Sequence, residues 1–529
     1  MAAVGGERAW RLAPAFLGLG LAVLALGPAL GWGFVLRYDL LFVPDPPLLP
    51  DTGGFPRAVP SDFVVALLSR VVPAEVVQKA FLVGIFVLAA SGAAALVPPE
   101  RRLARLVAAA FYAWNIYLAQ RLMLGQWALL LGVAGLPWAV RATALPWPRL
   151  ALALLPAAIG GFQAMLVSAL TLLPIAGLRS GTRVAPAEVR ARGTSVEGGA
   201  RGVSASGGAS ARGVFPVVGV LGAFSLPWLV PALASGAVTD PAGVDAFAAR
   251  TDGPFGVLGS LLSLGGIWTA EAGLPGQGEW WSATVRLLVV VVGVFGYARL
   301  RVGGDRPGWW RGLAVAAGAG FCVAAFGALA PGPLKWLIGL WPGFGPLRDG
   351  QVYLAPLVLL TAVGLASVLR SGIPAVVGVL APVLVLPTFA AGAFGRLAAV
   401  EYPREWREVQ RIVNADPAPG ALLSLPWGAH RAFAWNGGRV VLDPATKLFD
   451  RRVIWDDTLL VGLPDGGRLR VRGEDPLNRR AGDLLGRPDF AARLDVRYVL
   501  TVGTENRFPS GLTGWTTVFE GPDLVLLRR

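Results

Sequence analysis

An aspartate stands two residues beyond an arginine where the first long apolar run ends, in Arg37-Tyr38-Asp39, and opens a proline-rich stretch reaching Asp62. A carboxylate at the point where a membrane helix leaves the hydrocarbon can act on a lipid headgroup. Transfer of a sugar from a lipid phosphate needs a base to take the acceptor hydroxyl proton and cations to stabilise the departing phosphate. Asp39 is the candidate base. Arg37, Arg121 and Arg348 fall at predicted outer helix ends and are candidate phosphate ligands, because guanidinium grips phosphate oxygens bidentately. The plainer reading is that Asp39 and Arg37 mark the water boundary of the first helix.

Weaker candidates lie elsewhere. In FYAWNIYLAQRLMLGQW, Asn115, Gln120 and Arg121 are costly against lipid and are expected to line a cavity beside the substrate. Asp349 and Gln351 stand with Arg348 just before a predicted span, and Asp349 can pair with Arg348 or Arg37. In LPWGAHRAFAWNGGR, Trp427, His430 and Trp435 can form an acceptor platform, although a packed core explains them equally. Asp62, Asp240 and Asp252 read as helix-start acids. There is no P-loop and no H-E-x-x-H. One histidine and one cysteine, Cys322, leave no histidine-based metal site, no histidine triad in the membrane and no intrachain disulfide.

The elements that would position these residues are membrane helices. Of 529 residues, 54% are hydrophobic, and mean hydropathy is +0.59. Soluble domains sit nearer ~45–50% apolar. The net charge of +14 rests on arginines that fall between apolar runs rather than on one face with interleaved aromatics, so it signals topology and not nucleic acid. About eleven spans are predicted, at 12–36, 75–97, 103–120, 127–141, 149–162, 163–178, 214–234, 283–300, 311–330, 351–369 and 373–392. The pair at 149–178 meets at Gly160-Gly161. With the N-terminus cytoplasmic, every connection on that side carries arginine, as the positive-inside rule requires. The connection 179–213, rich in Gly, Ser and Ala, is expected to be a flexible cytoplasmic linker. Outer loops at 37–74, 235–282 and 331–350 complete a membrane domain over 1–395. The first contains the amphipathic helix PSDFVVALLSRVVP, and the second holds two short helices. A small extracytoplasmic α/β domain is expected over 396–529, with a helix at REWREVQRIVNAD and strands in ALLSLPW, RVVLDP, VRYVLTVG and TTVFEGPDLVLLRR.

A first helix ending in RYDLLFVPD, a juxtamembrane helix in the loop that follows, about eleven spans and an outer C-terminal domain resemble the GT-C class of polyprenyl-phosphate-sugar glycosyltransferases. Within that class the layout looks most like multi-span actinobacterial proteins related at a distance to the arabinofuranosyl- and mannosyltransferases of the cell envelope. The resemblance rests on architecture over about residues 1–395. It implies a plasma-membrane enzyme whose first outer loop supplies the carboxylate, matched here by Asp39. The implied donor is a lipid-linked sugar phosphate, and the acceptor an envelope glycan, lipid or protein. Members with an adjacent acidic pair differ from this chain, where Leu40 follows Asp39. A divalent cation, bound in part of the class, is left open, with no ligand set arguing for it. The competing readings are a flippase for a lipid-linked sugar and a non-catalytic scaffold.

Overall fold

The computed structural model describes residues 2–49, 53–179, 208–301, 306–463, 466–503, 512 and 514–529. Most of the expected linker, residues 180–207, lies outside them. Each expected span has a helix at its position, but the lengths differ. Six helices are long and apolar enough to cross a bilayer: Ala9–Leu30, Ala74–Ala95, Gly213–Ala234, Trp280–Arg299, Trp310–Leu329 and Gly350–Val368. A seventh span arises if Gly372–Val385 and Pro387–Gly395, bent by 63°, count as one. Trp127–Ala142, Trp147–Gly160 and Phe162–Gly177 are apolar but hold 16, 14 and 16 residues. At ~1.5 Å rise per residue such helices cover ~21–24 Å, less than a ~30 Å hydrocarbon core. By length and composition, eleven expected spans therefore become six or seven in a multi-span helical membrane protein.

The interruptions have local causes. The expected span 103–120 is cut after Ala113, where Trp114 and Asn115 turn extended before Ile116–Met123. The Asn115 Nδ2 donates to the carbonyls of Phe111 and Tyr112, each at 3.0 Å, and its Oδ1 accepts from the Leu118 N–H at 2.9 Å. One side chain thus satisfies orphaned groups at the end of one helix and the start of the next. Gly161, at φ +76° and ψ −151°, separates the two helices at 147–177 as the Gly-Gly pair suggests, in a conformation open to glycine.

From Ala399 onward the chain forms a mixed sheet. Its order is Thr516–Glu520, Leu524–Arg528, Val496–Val502, Ala421–Leu425, Val453–Ile454. Ala421–Leu425 runs parallel to both its neighbours and is buried along its whole length, as a central strand should be. Helix Arg404–Asn414 turns Trp406, Val409 and Val413 inward, the face that its spacing predicts. A separate hairpin pairs His430–Ala432 with Val440–Leu442.

The opening stretch joins the two regions. Phe34–Val35 pairs with Ala399–Val400. The Tyr402 Oη donates to the Phe42 carbonyl at 3.0 Å, and the Gln410 Nε2 to those of Pro44 and Asp45 at 3.2 and 3.0 Å. Helix Ser61–Ser69 buries Val65 and Ala66 but leaves Phe63, Leu67 and Leu68 exposed, and Val71 and Val72 just beyond its end are exposed too, an apolar surface suited to an interface.

Between these contacts, Arg37–Leu40 forms a tight turn. Tyr38 adopts φ +47°; its N–H donates to the Val440 carbonyl at 2.8 Å and its carbonyl accepts from the Leu442 N–H at 3.0 Å. On the opposite side the Asp39 N–H donates to the Leu124 carbonyl at 3.1 Å. Gly125, at φ +80°, lets this approach happen: a Cβ there would overlap the Leu40 nitrogen and lie 2.6 Å from the Arg37 carbonyl oxygen. Gly125→Ala is expected to cost on the order of 2–4 kcal/mol. A thermal unfolding scan of the detergent-solubilised protein checks this, and an unchanged midpoint contradicts the packing.

Candidate active site

Asp39 ends up as a free carboxylate in a recess. It is exposed, and among the described residues its oxygens accept no hydrogen bond. Protein nevertheless surrounds it. Burial raises its pKa, His430, Arg57 and Lys447 draw it back, Asp349 raises it further, and the net direction is up. A group that solvent reaches while protein surrounds it lies in a recess.

His430 reaches this space from the hairpin. Its ring meets that of Tyr38 edge-on with centroids 5.8 Å apart, and it is half-buried. Burial lowers its pKa while Asp39 pulls it up, and burial wins. Of the three expected acceptor residues, His430 is the one brought to Asp39. Trp427 packs on the C-terminal core, and Trp435 lies against Phe433 and Tyr402 at 4.9 and 5.1 Å. The packed-core alternative thus describes both tryptophans.

The expected cations are distributed otherwise than the sequence suggests. Arg37 is buried, and its guanidinium holds the carbonyls of Met123 and Glu271 at 3.0 and 2.8 Å. Arg121 is 0% exposed. It binds Asp349 through two oxygens at 2.7 and 2.8 Å, the Gln351 Oε1 at 2.6 Å and the Gln126 Oε1 at 2.8 Å. Asp349 therefore pairs with Arg121 rather than with Arg348 or Arg37. The Gln351 Nε2 donates to the Gln120 Oε1 at 3.3 Å, and the Gln120 Nε2 to the Asp252 Oδ2 at 3.1 Å. Gln120, Gln351 and Arg121 thus form a closed internal network, and Asn115 is a helix cap. None of these four opens onto the recess in this conformation. Arg348 is held by Glu474 at 2.6 Å.

Two cations beside Asp39 were not anticipated. Arg57, 55% exposed along its side chain, pairs with Glu474 at 2.7 Å. Lys447 pairs with Asp62 at 2.9 Å. Arg57 sits between Pro56 and Pro60 in the opening stretch, and a charge fixed in a proline-stiffened loop is the signal that could have found it. Nothing in the sequence ties Glu474 to it. No three His, Cys, Asp or Glu groups among the described residues are placed to hold a metal together. The groups acting on Asp39 are His430, the cations Arg57 and Lys447, and Asp349, which Arg121 occupies.

Glu474 yields a pH test. Burial by itself would raise its pKa, but Arg57 and Arg348 bring it down to about 2. A depressed carboxylate stabilises the fold above its ordinary pKa of 4.5, and the contribution is lost as pH falls through about 2. In thermal scans across pH, Glu474→Gln should lower the midpoint at neutral pH and flatten its decline between 4.5 and about 2. Parallel curves for the two proteins would contradict the pairing.

No protein-family model matches the chain, and no curated protein matches it. Solved structures do. The cryo-EM structure of arabinofuranosyltransferase AftD from mycobacteria aligns with TM-score 0.52 and 16% identity, over 98% of this chain and 40% of that one. A mutant of AftD gives TM-score 0.53 at 15% identity, over 98% and 41%. The chain thus spans about two fifths of the length of AftD. What identity this low shows is the fold: the chain is built on the helical membrane architecture seen in AftD, with its C-terminal mixed sheet.

Proposed function

We propose that this chain is a GT-C-like membrane glycosyltransferase that moves a sugar from a polyprenyl-phosphate donor to an envelope glycan, lipid or protein, with Asp39 as general base. The observation that carries the reading is the unpaired, solvent-reached Asp39 carboxylate, surrounded by protein and acted on by His430, Arg57 and Lys447. The likeness of the fold to AftD supports it. With the N-terminus cytoplasmic and the bent pair Gly372–Val385 and Pro387–Gly395 counted as a seventh span, the opening stretch and the C-terminal region share the outer face.

In this reading the acceptor oxygen bonds to the anomeric carbon as the bond from that carbon to the phosphate oxygen breaks. The lipid phosphate leaves with the electron pair, and the acceptor proton passes to Asp39. Enclosure, by raising the Asp39 pKa, makes it a stronger base than a free carboxylate. Arg57 and Lys447, whose charges act on Asp39, offset charge growing on the phosphate. Arg348 supports Arg57 through their shared partner Glu474. Arg37 and Arg121 act at one remove, by holding the chain on either side of the recess.

Asp39→Asn should lower transfer from a panel of polyprenyl-phosphate sugars by ~10²-fold or more while leaving the unfolding midpoint in place. The wild-type rate should fall on the acid side at a pH above the ordinary carboxylate range, because the base is lost as its raised pKa is crossed. Full transfer by Asp39→Asn would refute the assignment.

A further inference from the structure

We infer that His430 takes the proton from Asp39 after each transfer, so that the C-terminal hairpin supplies the group that resets the base. This rests on the reading of Asp39 just given. The geometry comes from both sides of the recess. Tyr38 is bonded through its N–H and carbonyl to Val440–Leu442, and that strand pairs His430 with Leu442. The strand therefore fixes the main chain of the Asp39 turn and of His430 to one frame, with the Tyr38 and His430 rings 5.8 Å apart.

Elimination among the neighbours selects His430. The groups acting on Asp39 are His430 from the hairpin, Arg57 from the opening stretch, Lys447 from the short helix Ala445–Leu448 and Asp349 from the loop before Gly350. Arg37 and Tyr38 adjoin it in the chain. Arginine and lysine offer donors and no acceptor. Arg37 is tied to the Met123 and Glu271 carbonyls, Arg57 to Glu474, Lys447 to Asp62, and Asp349 to Arg121. The Tyr38 phenol, its pKa raised by burial, stays protonated and accepts no proton near neutrality. His430 remains: among the described residues its ring nitrogens have no hydrogen-bond partner. A neutral imidazole has one free acceptor nitrogen, and histidine is the side chain that changes charge near neutral pH. No direct hydrogen bond joins it to Asp39, so the proton crosses by solvent in the recess. The step balances: the carboxylic acid loses the proton it took from the acceptor hydroxyl, imidazole becomes imidazolium, and imidazolium releases the proton to bulk water.

His430 is the only histidine in the chain, so ring signals of isotopically labelled histidine in the full-length, detergent-solubilised protein report on it alone. Their pH titration should give a midpoint that drops by ~0.5 unit or more in Asp39→Asn, since a carboxylate several ångströms away through partly aqueous medium favours the imidazolium by about that much. His430→Gln should lower kcat for polyprenyl-phosphate sugar transfer by ~10-fold or more with KM unchanged, and added imidazole should restore part of the rate. A merely structural histidine would give no such rescue. An unshifted midpoint, or full turnover in His430→Gln, overturns the inference. If Asp39→Asn abolishes transfer and yet the midpoint stays fixed, the base assignment stands and the proton relay falls. If the midpoint shifts and the wild type uses no donor in the panel, the pairing stands and the transferase reading falls.

Discussion

The main-chain hydrogen bonds of Tyr38 are the constraint on which the rest of the structure depends. They fasten a residue of the opening stretch, held at positive φ, to a strand formed some four hundred residues later. Asp39 follows directly and is bonded on its other side to Leu124. A residue with positive φ and a large side chain is strained unless its surroundings over-determine it. Here two bonds to the hairpin and the close approach of Gly125 do so.

The hairpin must be rigid for this to work. Its anchor is a buried charge pair: the Arg431 Nη2 reaches the Asp443 Oδ2 at 2.6 Å and the Ser424 Oγ at 2.9 Å, and Ser424 donates to the same carboxylate oxygen at 2.6 Å. Removing one partner of such a pair leaves an uncompensated buried charge, at ~3–5 kcal/mol. The cluster ties the hairpin to the central strand Ala421–Leu425. Asp39 is thereby referenced to the core of the C-terminal sheet as well as to the membrane helices.

The polar groups in the apolar helices do a comparable job on the other wall. Arg121, Asp349, Gln351, Gln120 and Asp252 form one chain of contacts. Arg286 of Trp280–Arg299 extends it, donating to the Gln277 carbonyl at 2.6 Å and lying 3.9 Å from Asp252. A charge facing lipid is expensive, and a charge satisfied by neighbouring loops is not. Arg121, Asp349, Gln351 and Gln120 spend hydrogen-bonding capacity on one another, whereas the Arg286 Nε and Nη1 and the Asp252 Oδ1 are buried with no hydrogen-bond partner.

The sequence alone determined that the chain is a multi-span membrane protein ending in a mixed α/β region, because hydropathy and spacing are local and the bilayer imposes a length. It also singled out Asp39, since the position at which an apolar run ends can be read residue by residue. It overstated the spans, because an apolar run does not reveal that Asn115 will cap two helices at once or that a 14-residue helix will stop at Gly161. Only the tertiary structure decided which cations meet Asp39. Guanidinium groups look alike in sequence, but burial forces each to be paired, and pairing depends on which loops come together in space. That constraint buries Arg37 and Arg121 on internal partners and brings Arg57 and Lys447, each paired with a carboxylate of its own, and His430 toward the open carboxylate.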